Sequence, residues 1–208
     1  MRNKRIAVIG LKGLPAFGGA ATVGENIIEQ LKEKYDFTVY SVESHTKLKT
    51  GQQDGFYQIV FRSFSNKKLN TLFYYIRSML HAIIIGNYDL VHLHHRDASF
   101  IIPVLRLKYK LILTTHGTQL NEISKWEKLS WFFNAQLRYF ARFANRIIAV
   151  SKTDQRNLKI IYNLESRYIP NGVPLGVKIL EPDYNGYIFF SAGRIMYSKG
   201  AHLLLEAL

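Results

Sequence analysis

The sequence predicts an α/β fold built on a doubly wound parallel sheet. Two observations carry this. Short runs rich in Val, Ile and Leu alternate along the whole chain with longer segments of helical period, the pattern of parallel strands joined by crossover helices. The runs are also apolar at nearly every position, as strands buried on both faces must be.

Taken in order, residues 5–10 read as a buried strand, a glycine-rich turn follows, and a helix spans 22–34. Strands at 37–42 and 57–61 come next, then a helix at 69–86 and a strand at 90–93. A helix at 98–107 leads to a strand at 111–115. Helices at 130–144 and 153–162 flank a strand at 146–150, and 167–169 is a last short strand. In such sheets ligands bind beyond the carboxyl ends of the strands. The densest turn cluster is Pro170-Asn171-Gly172-Val173-Pro174, which predicts a domain boundary. Residues 1–172 form one domain, 173–185 a linker, and 186–208 the first strand and helix of another.

The chain has 208 residues, 48% of them hydrophobic, and a net charge of +13 from 28 Lys+Arg against 15 Asp+Glu. It is therefore globular rather than disordered, and its cationic excess favours an anionic partner: nucleotide phosphates, nucleic acid or an acidic membrane surface. The absence of cysteine excludes disulfides and thiolate metal sites and fits a reducing, cytoplasmic compartment. The apolar stretch after Met1 is too short for a signal peptide. The stretches near 80–86 and 100–107 fall well short of the roughly 20 residues of a membrane span.

Four places could carry chemistry. The turn Gly193-Arg194-Ile195-Met196-Tyr197-Ser198-Lys199-Gly200 sits between an apolar run and a helical pattern. Amides at a helix N-terminus suit a phosphate, and Arg194 and Lys199 would add a fork and a point charge. The plain alternative is a βα loop with two solvated cations. Gly18-Gly19, before the first helix, could admit a phosphate or sugar, or serve only close packing of helix on sheet. The spacing is not G-x-G-x-x-G, which disfavours a nicotinamide enzyme.

His92, His94 and His95 end one strand, with Arg96 and Asp97 following, and His116-Gly117 ends the next. A strand's period of two puts His92 and His94 on one face and His95 on the other. His92, His94 and His116 could form a metal site, although no ligand spacing supports one. They could equally be polar groups lining the crevice, or hydrogen-bonded structural histidines. Finally, 124–144 and 69–85 interleave aromatics with Lys and Arg. Part of each stripe is core. The rest resembles an interfacial surface for anionic lipid, or a solvated basic face. No recognised nucleic-acid motif appears, leaving a non-catalytic membrane- or nucleic-acid-binding module as the rival class.

Together these residues resemble the large retaining glycosyltransferase family 4, often called "group 1", whose fold is GT-B: two Rossmann-like domains. The resemblance spans nearly the whole chain. Pro15 with Gly18-Gly19 is similar to the family's first loop, particularly in rhamnosyltransferase-like members. His94 and His116-Gly117 match the histidines after its fourth and fifth strands. Val150-Ser151 and Ile169-Pro170-Asn171-Gly172-Val173 match its "VS" and "IPNGV" runs, and Ala192-Gly193-Arg194 with Lys199-Gly200 its "GR…KG" site. The family often carries a glutamate two residues after the paired glycines; here Ala21 stands there and Glu25 lies one helical turn on.

The resemblance implies transfer of a sugar from a nucleotide-sugar donor with retained anomeric configuration and no metal or other cofactor. Arg194 and Lys199, with Gly18 and Gly19, would bind the donor diphosphate. His116 would be catalytic, beside the donor sugar, and His94, Arg96, Gly117 and Asn171 would line the sugar or acceptor crevice. The aromatic-basic face, independently of the resemblance, suggests that the protein is held against the cytoplasmic face of a membrane carrying a glycan or lipid-linked acceptor. The second domain, which binds most of the nucleotide, would lie mostly outside these residues, so the 208-residue chain alone would not turn over.

Overall fold

The computed structural model describes residues 3–16, 18–117, 130–172 and 200–206. Their strands form one sheet, and every predicted strand up to 167–169 is present. Strand β1 (Lys4–Lys12) leads through helix α1 (Gly19–Leu31) to β2 (Tyr35–Val42). The short β3 (Gly51–Gln52) and β4 (Phe56–Phe61) follow, then α2 (Lys67–Ile84) and β5 (Leu90–His94). A 3-10 turn over Arg96–Ile101 runs into α3 (Ile102–Leu105), then β6 (Lys110–Thr115), α4 (Ser130–Phe140), β7 (Arg146–Ala149), α5 (Lys152–Tyr162), β8 (Arg167–Tyr168) and α6 (Ala201–Glu206). The order across the sheet is β3-β4-β2-β1-β5-β6-β7-β8. All neighbours pair in parallel except the edge pair β3–β4.

Two differences from the sequence reading have local causes. The predicted helix at 98–107 is a 3-10 turn that becomes α-helical only at Ile102, with Pro103 in the first α turn, where its missing N–H costs nothing. The antiparallel β3 was not predicted, because a two-residue strand leaves no readable period.

Alternation along β1 divides the core. Ile6 and Val8 enter one cluster with Ile28, Phe37 and Val39 under α1. Ala7 and Ile9 enter the larger one, with Val91, Leu93, Leu111 and Leu113 beneath the remaining helices. Helix α1 carries the chain from β1 to β2 in one direction, and α2 carries it back across to β5. With right-handed crossovers, that reversal puts α1 and α2 on opposite faces. The strand order therefore switches between β1 and β5, and a crevice opens at their carboxyl ends.

Side chains fix several element ends. Asn66 accepts from the N–H groups of Lys68 and Leu69 to start α2. Ser151 accepts from Asp154 N–H at 3.0 Å to start α5, and Asn163 ends it in the left-handed conformation at φ 53°. The Val150-Ser151 motif thus has a local physical role as a helix start.

Candidate functional site

The crevice begins where β1 leaves the sheet. Gly10 has φ +115°, and a Cβ there would fall 1.8 Å from the carbonyl oxygen of His94 on β5. Only glycine lets these two strands pair this far. Gly10 N–H donates to Tyr74 Oη at 2.8 Å, and Tyr74 Oη donates to the Tyr40 carbonyl at 2.9 Å. Tyr74 is fully buried, and burial pushes its phenol well above the usual range, so the hydroxyl stays protonated and tethers both strand ends to α2. Lys12 Nζ donates to Thr71 Oγ1 at 3.1 Å, a second tie to the same helix.

Gly18 stands at φ +124° as the residue before α1, and its carbonyl accepts from Thr22 N–H and Thr22 Oγ1. Space beside Gly18 and Gly19 is open: no atom lies within 4 Å of where a Cβ would be. Close helix–sheet packing therefore does not explain this glycine pair. The first turn of α1 has no acidic residue and no side-chain cap, so its amides carry positive potential into the opening. Glu25 Oε1 accepts from Ala16 N–H at 3.2 Å. The carboxylate one turn on from Ala21 thus holds the loop's backbone.

At the ends of β5 and β6, His92, His94, Thr114 and His116 form one polar column. The ring centroids of His92 and His94 lie 4.1 Å apart. His94 Nδ1 is 3.1 Å from His116 Nε2, the two rings near-parallel at 14°. His92 Nε2 is 2.8 Å from Thr114 Oγ1. Burial pushes the His92 and His116 imidazoles down to about 4, with the charge of a neighbouring histidine adding to it in each case, and holds His94 well below its ordinary value. All three rings are therefore neutral at pH 7, so one of the paired imidazoles can accept from the other. Among the described residues, no group of three His, Asp or Glu side chains is placed to hold a metal ion.

His95 turns away at φ 88°, its Nδ1 3.2 Å from Asp97 Oδ2. Burial works to raise the Asp97 carboxyl, but His95, Arg96 and Lys12 together bring it below its usual value. Arg96 itself is buried at the start of the 3-10 turn. Gly117, at φ +110° with open space beside it, follows His116. Asn171 shares a cavity of about 690 Å³ with His92, Thr114, Asn26 and Gln30, between α1 and the ends of β5 to β7. The structure thus brings His94 and His116 together, sets Gly117 next to them, and joins Asn171 to the column through His92. Arg194 and Lys199 lie outside the described residues.

Thr114 and Tyr74 were missed by sequence reasoning. A threonine inside a strand and a tyrosine inside a helix carry no local signal of the partner they will meet. Thr115 was missed for the same reason: it donates to Asp154 Oδ2 at 2.6 Å, tying β6 to α5 behind the site.

A Rossmann-like sheet with an open glycine turn after β1 and histidines at the ends of β5 and β6 fits one class: the first half of a GT-B glycosyltransferase fold. A family model for Glycosyltransferase Family 4 matches residues 17–177, and the chain belongs to that family. Among solved structures it is similar to sucrose-phosphate synthase from Thermosynechococcus elongatus, with a TM-score of 0.63 at 16% identity over 81% of this chain and 48% of that one. It is also similar to Anabaena HepE in complex with UDP and glucose, with a TM-score of 0.52 at 17% identity over 83% and 45%. A trehalose-6-phosphate structure from E. coli bound with UDP-2-fluoro glucose gives 0.53 at 15% identity over 82% and 49%. The chain spans about half the length of these structures. No curated protein matches it by sequence.

Proposed function

We propose that the protein transfers a sugar from a nucleotide-sugar donor to a glycan or lipid-linked acceptor at the cytoplasmic face of a membrane. The anomeric configuration is retained and no metal takes part. In this reading residues 1–172 form the acceptor-side domain, 173–185 a linker, and 186–208 open the donor domain. One observation supports the reading: helix α1 and the histidine column, through His92 and Thr114, line the same cavity beside the sheet's switch point.

Fission of the glycosyl–phosphate bond builds negative charge on the leaving diphosphate and positive charge on the sugar. Arg194, Lys199 and the amides after Gly18 stabilise the diphosphate electrostatically. His116 is held through Nε2 by His94, which leaves Nδ1 as the nitrogen facing the donor sugar. A neutral ring suits this place, because a cation there would oppose the charge developing on the sugar. Gly117 and Asn171 border the space for the acceptor.

Thermal-shift screening of a chain carrying both domains against UDP, GDP, ADP and dTDP sugars tests the reading. UDP sugars come first, since two of the structural neighbours hold UDP or a UDP sugar. The expected result is stabilisation by one nucleotide class and turnover that His116→Ala abolishes. Indifference to every nucleotide sugar overturns it, and so would full turnover by the 208-residue chain alone.

A further inference from the structure

Helix α2 is packed inside out. Its buried face consists of Asn70, Tyr74, Tyr75, Ser78 and Ala82, while Leu69, Leu72, Phe73, Leu80 and Ile84 stand exposed. The outward stripe keeps helical spacing over about four turns, while Met79 and Ile83 pack at the edge of the core-facing side. Ile84 is 73% exposed and Ile85 69%. Leu107, the most exposed of all at 86%, continues the patch. Its neighbour Lys108 donates from Nζ to the Ile83 and Gly86 carbonyls, seating this segment against the end of α2. Contiguous exposed apolar surface of this kind marks an interaction site.

The charge around the stripe chooses the partner. No Asp or Glu occurs anywhere in 55–88 or 98–121, while Arg62, Lys67, Lys68, Arg77, Arg106 and Lys108 do. A second copy would bring these cations against their like. A nucleic acid would satisfy them and leave the apolar stripe in water. An anionic bilayer satisfies both, taking the side chains to acyl depth and the cations among its headgroups. No helix among the described residues is long and apolar enough to cross a membrane, so α2 would lie in the interface plane. We propose that the α2 flank, from Leu69 to Leu107, docks the protein on an anionic phospholipid surface.

The docked surface adjoins the site. Thr71 and Tyr74, on the first turns of α2, bond Lys12 and Gly10 of the β1 turn. The bilayer therefore runs alongside the mouth of the crevice, within about one helix diameter of it. This deepens the proposed function by naming the surface that presents a lipid-linked acceptor, and rests on that reading only for this orientation.

Co-sedimentation of the 208-residue chain with phosphatidylcholine vesicles, with and without phosphatidylglycerol, tests it without any sugar. Partition into the anionic vesicles is expected, falling roughly tenfold in the triple variant Leu80→Gln, Ile84→Gln, Leu107→Gln. The pair Lys67→Gln, Lys68→Gln, at the opposite end of α2, should weaken binding and its salt dependence, and serves should the triple variant misfold. Ile160→Gln with Ile161→Gln, equally exposed on α5, should leave binding unchanged. The proposal fails if anionic vesicles bind no protein or if both α2 variants bind as well as the parent. It also fails if light scattering shows a dimer that the triple variant dissolves. Vesicle binding without transfer would sink the reaction and keep this surface; transfer to soluble acceptors without vesicle binding would do the reverse.

Discussion

His94 Nδ1 and His116 Nε2 stand 3.1 Å apart, one hydrogen bond joining adjacent strands at their carboxyl ends. The bond needs a donor and an acceptor, so it survives only while at least one ring is neutral. A histidine whose folded pKa is depressed leaves stability untouched above its unfolded value, near 6.5. As pH falls below that, the unfolded chain gains a proton that the native state refuses. Stability is then lost progressively between about 6.5 and the native value of about 4. Denaturant midpoints should therefore fall steadily from pH 7 to pH 4.5, by about 2 kcal/mol for each of His92 and His116. His116→Gln should flatten that slope. A slope identical to the parent's would show that these rings are not held neutral.

Three glycines around the crevice should respond differently to the same change. Gly10→Ala places a methyl on the His94 carbonyl at a positive φ, so it should cost about 4 kcal/mol or prevent folding. Gly18→Ala meets no atom but keeps φ +124°, and should cost about 1–2 kcal/mol. Gly19→Ala has neither penalty, and should melt within a degree or two of the parent. Thermal melts rank the three. A Gly19→Ala variant as unstable as Gly10→Ala would contradict the open space beside α1.

The parallel sheet was legible because buried strands betray themselves by composition: 5–10, 90–93 and 111–115 need no partner to be recognised. The positions of His94 and His116 followed, since strand ends at a switch point are where such a sheet binds ligands. What the sequence could not disclose was which stripe of α2 faces inward. Leu69, Leu72, Phe73, Leu80 and Ile84 make the better core by hydropathy, yet Tyr74 and Tyr75 take the core: the Tyr74 hydroxyl bonds the ends of β1 and β2, and the Tyr75 ring packs edge-on against Phe100. Periodicity reveals that a helix has two faces and leaves the choice between them to tertiary contacts.

Tyr74→Phe should be disproportionately costly for a single oxygen. The lost hydroxyl leaves the Gly10 N–H and the Tyr40 carbonyl without this partner beside a full core. Leaving such groups unpaired costs about 1–3 kcal/mol, against near zero for an exposed Tyr→Phe such as Tyr139→Phe. Denaturant unfolding of both variants gives the comparison. Equal midpoints would mean that the tether between β1 and α2 contributes nothing.

Glu25→Gln and Glu25→Ala separate the loop from the fold. The carboxylate of Glu25 is half-buried on α1 and reaches back nine residues to the Ala16 N–H at 3.2 Å. No other residue in the first turns of α1 offers a carboxylate. Removing it frees the loop before Gly18 without opening a cavity in either core cluster, so the melting temperature should move by only a few degrees. Amide exchange at Ala16 should rise by about tenfold in Glu25→Ala, while Glu25→Gln, whose amide oxygen can still accept, should retain most of the protection. In a chain carrying both domains, the alanine variant should raise KM more than it lowers kcat, since a disordered entrance weakens binding before it affects bond breaking. A kcat loss matching that of His116→Ala, with KM unchanged, would instead move Glu25 from holding the loop into the chemistry itself.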